Sequence, residues 1–488
     1  MKKRDAFRLI CFICVFCILF VIVSAVLRDK RIAGEYNPTT KIRGFYQEQK
    51  DSLDFVFVGS SQLYAHVAPA VLWEEYGFTS YDFAANEQPL WISYYYIKEA
   101  LKHQKPKAII LEVFTVYGDD YEQEGVNHIN LDDLPLSANK LRAIHDSVPG
   151  ELRYSYYFDL AKYHNTWSSL DQDKVEAAFG WDDDPMKGYS PFVFEREYAS
   201  GTPDEVKRQK EVEQIPAKAQ EWLDKIIALT REENVDLIFL KTPNGSAERQ
   251  KLYNAVEILS EREKIPFLNL NTCMDGEAHI NIIQAKKVTE RIGSFLEERY
   301  EAMPKTQRPD AVREGFDRSA KLFDSYYKKC MLASIEDYDS YLSFVRADNY
   351  LVFLCKNMHE GSDLAEMYLY DGTNPVIAET MHPGDADPWY PDGEAQAVEA
   401  FANPDASDGS NHPEAAEAPA AGAIDIETEL YDMQIHMIAG ADSMIEIDGL
   451  DYSLHTNGYN LAVYDKNLGQ FVEMVSFDET NGMQITRK

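Results

Sequence analysis

The chain has 488 residues, of which 45% are hydrophobic and 27% charged, enough for about three domains with buried cores. Its 82 Asp and Glu against 48 Lys and Arg leave a net charge of −34. That balance argues against a nucleic-acid partner, because neutralising phosphates needs a basic face. Of the six cysteines, Cys11, Cys14 and Cys17 share one apolar run and Cys273, Cys330 and Cys355 are scattered, a pattern of neither a disulfide framework nor a cysteine zinc site.

Residues 1–8 form a short basic tail with Lys2, Lys3, Arg4 and Arg8, and Leu9 to Leu27 follows without a charge. As a helix, residues 9–27 reach roughly 28 Å, close to the hydrocarbon thickness of a bilayer. A cleaved signal peptide is the other reading, with Val23 and Ala25 at its small-residue positions, but the apolar stretch is longer than a usual signal core. The expectation is a transmembrane signal anchor over 9–27. Arg28, Lys30 and Arg31 add basic charge on the far side, so orientation rests on the short tail and the acidic remainder. These favour a cell-membrane protein, single-pass, with the bulk of the chain extracytoplasmic.

Residues 45–115 alternate strand and helix patterns. Leu53 to Val58 is an apolar run ending in Gly59-Ser60-Ser61-Gln62; a helical stretch follows at Ala68 to Tyr76, then a strand at Ser80 to Ala84. Trp91 to His103 has helical spacing and Ala108 to Phe114 reads as a buried strand. The rhythm resumes with a helix at Trp222 to Asn234, a strand at Asp236 to Lys241, a helix at Glu248 to Lys264, a strand at Pro266 to Leu270 and a helix at Ile282 to Tyr300. Such alternation predicts an α/β domain over 45–303: a flavodoxin-like parallel sheet sandwiched by helices. Residues 118–215 break the rhythm, with short helical pieces at Ala138 to His145 and Leu152 to Tyr163, and read as a lid or binding insertion.

Residues 304–488 read as a smaller all-β domain, with short runs at Tyr350 to Cys355, Met367 to Tyr370, Met444 to Ile447, Asn460 to Tyr464 and Phe471 to Phe477 between Gly, Asp and Asn turns. Residues 380–423 interrupt it as an acidic insert almost without large aliphatics, expected to be disordered. Residues 357–465 hold no Lys or Arg and 23 Asp or Glu, which reads as a solvated face; no calcium-loop pattern accompanies them.

In an open parallel sheet ligands sit beyond the carboxyl ends of the strands, which selects the loops after the first and last strands. The first offers Gly59, Ser60 and Ser61, a tight turn presenting a hydroxyl beside backbone N–H groups. The last offers Asp275-Gly276-Glu277-Ala278-His279. A serine needs a base to take its proton, and a histidine base needs an acceptor to hold its tautomer. Ser61, His279 and Asp275 therefore form a candidate triad. No His/Asp/Glu cluster stands at metal-ligand spacing, and neither metal nor other cofactor is expected.

The stretches DFVFVGSSQLY, SYDFAANEQPLWISYYYIKEALKHQKPKAIILEVF, DLIFLKTPNG and DGEAHINIIQAKKVTERIGSFL resemble the SGNH (GDSL-like) hydrolase superfamily, nearest its membrane-anchored envelope branch, similar to DltD and the alginate-acetylation proteins. The resemblance implies Ser61 as nucleophile and His279 as base. The family's aspartate stands three residues before the histidine, a place taken here by Gly276; Asp275 lies one residue further away, and Glu277 is the alternative partner. It also implies an oxyanion hole from the backbone at Gly59 and Ser61 together with Asn86, although the family's second-block glycine is missing and Gln284 replaces another. The C-terminal GLDYSLHTNGYNLAVYDKNLGQFVEMVSFD resembles the interleukin-like (ILEI/PANDER-type) β domain, which implies binding.

Two functions follow as expectations. One is an extracytoplasmic serine esterase or O-acyltransferase acting on acylated cell-envelope glycans or small acyl esters, with a membrane-bound O-acyltransferase as partner. The other is a catalytically degraded relative that binds glycan or partner proteins.

Overall fold

The computed structural model describes residues 3–28, 38–118, 123–170, 172, 175, 178, 183–193, 203–272, 279–346, 349–358, 364–381, 424–440 and 443–488. Of the acidic insert expected at 380–423, all but residues 380 and 381 lie outside them. The chain divides into two compact units, Met1–Tyr326 and Tyr327–Lys488.

In the first unit, β1 (Phe55–Val58), β2 (Ser80–Asp82), β3 (Ala108–Glu112), β4 (Asp236–Lys241) and β5 (Phe267–Asn269) form one parallel sheet in the order β2-β1-β3-β4-β5. This is the doubly wound order whose direction reverses between β1 and β3. The residues of β1 and β3 are buried without alternation, as strands covered on both faces must be. Helices α1 (Lys3–Leu27) and α2 (Pro38–Phe45) precede the sheet; α3 (Ser61–His66) and α4 (Pro69–Tyr76) join β1 to β2, and α5 (Leu90–His103) joins β2 to β3. Between β3 and β4 lie α6 (Glu124–Leu131), α7 (Ala138–Ser147), α8 (Arg153–Tyr157), α9 (Asp159–Tyr163), α10 (Pro203–Arg208) and α11 (Ala217–Glu232). Then come α12 (Ala247–Glu263), α13 (Ile282–Glu297) and α14 (Asp310–Leu332). The main core packs Val56, Val58, Ile109, Leu111 and Phe239 against Trp91, Tyr96, Leu223 and Ile226.

This unit runs past residue 303, where the α/β pattern stops in sequence. Val312 and Phe316 of α14 join the same core, and the Trp73 indole donates to Asp317 at 2.7 Å. Arg308 reaches back to the start of the sheet: it pairs with buried Asp54 and donates to Thr79 Oγ1 at 3.1 Å and the Gly77 carbonyl at 3.1 Å. Helix α1 is long and apolar enough to cross a membrane, a property a signal sequence shares.

The second unit holds two antiparallel sheets. The first, of six strands, runs β15 (Gln484–Arg487), β14 (Gln470–Asp478), β13 (Gly458–Asp465), β6 (Tyr350–Asn357), β7 (Ala365–Asp371), β8 (Asn374–Met381). The other runs β12 (Leu450–Asp451), β11 (Met444–Ile447), β10 (Met433–Ala439), β9 (Ile424–Leu430). Leu351, Phe353 and Cys355 share one core with Ile435, Met437 and Ile445 of the smaller sheet. Val352 and Leu354, alternating to the opposite face, pack with Leu332, Tyr341 and Val345. β6 is thus buried on both sides, which explains its unbroken apolar run. The all-β expectation changes in one respect: the end of α14 and α15 (Tyr338–Val345) cover the outer face of the larger sheet.

Candidate functional site

The reversal point between β1 and β3 places two chain segments side by side. Gly59 follows β1 and Glu112 closes β3; a Cβ built on Gly59 would stand 2.5 Å from the Glu112 Cβ, so the approach requires glycine. The turn expected at Gly59 to Gln62 is tighter than a loop. It is the start of α3, with Ser61 as its first residue and Ser60 as its cap, whose hydroxyl accepts from Gln62 N at 3.3 Å.

The two serines differ in what they touch. Ser60 is fully buried, and its hydroxyl and backbone N–H both donate to Glu112 Oε2, at 3.0 and 3.4 Å. Ser61 is half-buried. Of the pair, Ser61 is the one with surface open to solvent.

Glu112 also accepts from Phe114 N at 2.8 Å, through Oε1. Lys241, the last residue of β4, donates to Gln62 Oε1 at 2.9 Å and to the Thr242 carbonyl. The residues on either side of Ser61 are therefore tied to two buried charged groups on two neighbouring strands. Burial pushes the Glu112 carboxyl up, against the pull of Lys241 and of the Ser60 hydrogen bonds. Burial lowers Lys241 to about 7, opposed by Glu112 and assisted by Arg249. Its ammonium stands between the Phe114 and Tyr253 rings, at 5.4 and 5.2 Å from their centroids.

Asn86 comes to the same place from the loop after β2. Ala85 N donates to the Gly59 carbonyl at 3.3 Å, Asn130 Nδ2 donates to the Asn86 carbonyl at 2.8 Å, and the Tyr64 hydroxyl of α3 donates to Asn86 Oδ1. The Tyr64 bond fixes the Asn86 side chain with its Oδ1 towards α3.

His279 is half-buried and its ring stacks on Phe192, 5.2 Å between centroids and 11° between planes. Its neighbours anchor it. Ile280 N donates to Nε2 of fully buried His66 at 3.4 Å, Ile282 N donates to the Phe192 carbonyl at 2.8 Å, and Asn281 caps α13 by accepting from Gln284 N at 3.0 Å. The histidine segment is thus moored to the far end of the helix that Ser61 begins. Asp275 and Glu277, the two candidate partners of His279, lie outside the described residues. Among the described residues no group of three His, Cys, Asp or Glu is gathered to hold a metal ion.

Sequence reasoning placed Ser60 and Gln62 only as members of the turn and passed over Tyr64, His66, Glu112 and Lys241. The signal for the two charges was present: a Glu closes the buried run Ala108–Leu111 and a Lys the buried run Leu237–Leu240, at the carboxyl ends where ligands gather.

No family model matches the chain, and no curated protein matches it. Among solved structures, a protein described as a lipolytic member of the G-D-S-L family from Desulfitobacterium hafniense DCB-2 is similar over 49% of this chain and 97% of its own, at 9% identity and a TM-score of 0.25. A likeness that slight carries no argument about activity.

Proposed function

We propose that the chain is a membrane-anchored, extracytoplasmic serine esterase or O-acyltransferase of the SGNH-like kind, acting on acyl groups of cell-envelope glycans. The observation that supports this is the half-buried Ser61 at the reversal point of the sheet, with both flanking residues tethered from beneath. Ser61 Oγ attacks the acyl carbonyl carbon as its proton passes to His279. The bond to the leaving alcohol breaks, and the alcohol departs with that proton. Water or a sugar hydroxyl then attacks the acyl-serine, giving its proton to the same histidine, which passes it to Ser61 Oγ as the acyl–oxygen bond breaks and the acid or new ester leaves. Backbone N–H at Ser61 and Gly59, with Asn86, would hold the oxyanion, each donor contributing roughly 3 kcal/mol. Asp275 or Glu277 would orient the histidine. The C-terminal sandwich would hold glycan or a protein partner such as a membrane-bound O-acyltransferase.

A serine-reactive fluorophosphonate tests the reading. The folded protein should be labelled, and Ser61→Ala should abolish the label. No labelling of the wild type, or labelling that survives Ser61→Ala, would transfer the assignment to a binding protein that has kept the fold and lost the chemistry.

A further inference from the structure

Helix α1 leaves the body of the protein within one turn. From Phe7 to Val23 every side chain except Phe20 is exposed, whereas Ser24 is buried and Ala25 to Arg28 are half-buried. The insertion after β3 covers that last turn. α9 and the 3-10 turn His164–Ser169 lie against α1, Arg28 Nη1 donates to the Asp132 carbonyl at 3.2 Å, and it pairs with Asp133 at 3.6 Å. Arg43 holds the same Asp133 at 2.9 Å, so the mooring is shared with α2.

Length fixes the level of this contact. The exposed part of α1 is roughly 26 Å at 1.5 Å per residue, about one turn short of a ~30 Å hydrocarbon layer. The 21 residues Phe7–Leu27 bring it to roughly 32 Å. When α1 spans a bilayer, its covered last turn therefore lies at the hydrocarbon boundary, and the elements covering it lie among the headgroups. Trp167 of the turn His164–Ser169 is 69% exposed, and α8, which packs on α9, adds Tyr154 at 59% and Tyr157 at 43%, with Phe158 between the two helices at 56%. Tyr and Trp are the residues that favour the water–lipid boundary, where an apolar ring and a polar edge both find their medium.

We propose that α8, α9 and the turn His164–Ser169 form a docking pad for the bilayer surface, with Tyr154, Tyr157, Phe158 and Trp167 seated at the headgroup level of the leaflet from which α1 emerges. The inference rests on α1 being a retained anchor. The pad adds a second, peripheral membrane contact beside the helix, and it sets the catalytic unit at a defined orientation to the membrane rather than on a free tether. Its occupant is lipid because the patch is continuous with the surface of the spanning helix itself.

The full chain in phosphatidylcholine vesicles tests this, with a brominated phosphatidylcholine as the lipid-side quencher and iodide as the water-side quencher. Trp73, Trp91 and Trp222 are buried, and the difference between wild type and Trp167→Phe isolates Trp167. The expected Trp167 signal is blue-shifted, quenched by the brominated lipid and protected from iodide. Protein released from the vesicles by alkaline carbonate would overturn the anchor, and the pad with it. Protein that stays bound while Trp167 is quenched by iodide alone would overturn the pad and leave the anchor standing. Shielding of Trp167 from both quenchers would also overturn it, since a second chain would then cover the patch.

Discussion

Ser60 and Ser61 are adjacent and chemically identical, yet their surroundings divide their work. The buried Ser60 hydroxyl donates to Glu112, whereas Ser61 is half-buried and keeps part of its surface open to solvent. Ser61→Ala and His279→Ala should each lower kcat for a small acyl ester by at least ~10⁴-fold, and the double variant should fall little further, because nucleophile and base act as one unit. Thermal midpoints of all three should stay near the wild type, and a large drop would show a structural role instead. Lys241 makes a separate prediction. An unfolded lysine titrates near 10.4, whereas burial holds this one at about 7. Between those values the unfolded chain carries one more proton than the folded one. The penalty for burying this ammonium is therefore complete below about 7 and is relieved as the pH rises towards 10. Wild type should gain stability relative to Lys241→Met across that window, by up to about 1.4 kcal/mol per pH unit. Denaturation at pH 7 and pH 9.5 measures it, and a constant difference between the two proteins would refute the assignment.

Helix α3 is short, and a six-residue helix has little stability of its own. What keeps it in place is attachment at several points: Ser60 and Gln62 to the strand ends, Tyr64 to Asn86, and His66 to the Ile280 backbone. Gly59 is where that attachment tolerates least. A methyl group there meets the Glu112 Cβ, and forcing β1 and β3 apart should cost about 1–3 kcal/mol. Gly59→Ala should therefore lower the thermal midpoint and also slow fluorophosphonate labelling of Ser61 more than tenfold. A variant that is destabilised but labels at the wild-type rate would show that the elbow's position does not depend on this approach.

Across the whole molecule, the α/β unit depends on residues beyond its last strand-associated helix. Arg308 compensates Asp54 under the sheet, and Phe316 packs against Trp73 with 5.5 Å between ring centroids. A chain ending at residue 303 loses both. Lys107 remains 3.0 Å from Asp54 and keeps it partly paired, so the cost of the lost arginine should fall near the lower end of the range for broken buried pairs, about 3 kcal/mol. Residues 32–326 should melt cooperatively, and residues 32–303 should melt well below them or aggregate. Equal midpoints would place the true boundary at 303.

Periodicity and composition were enough to read the parallel-sheet architecture, because strands buried on both faces and helices apolar on one face carry their environment in their residue order. The long apolar helix at the start ends at Leu27 as expected but begins at Lys3 rather than Leu9, whereas Asp236–Lys241 and Met444–Ile447 were legible to the residue. Helix α3 was not, since its six residues show no period and its stability comes from groups far away in sequence. The same holds for α14, whose Val312 and Phe316 look like any amphipathic pair until Trp73 is beside them. Ser61, Asn86 and His279 could be nominated from motif and loop position, but the physical difference between Ser61 and Ser60, the burial of Ser60 against Glu112, appears only in the structure. Glu112 and Lys241 stand more than a hundred residues apart, and their meaning arises only when β3 and β4 pair in register and bring two charges into one buried space under Gln62. Local order along a chain encodes which face of an element is apolar; it does not encode which distant polar groups that burial will force into contact.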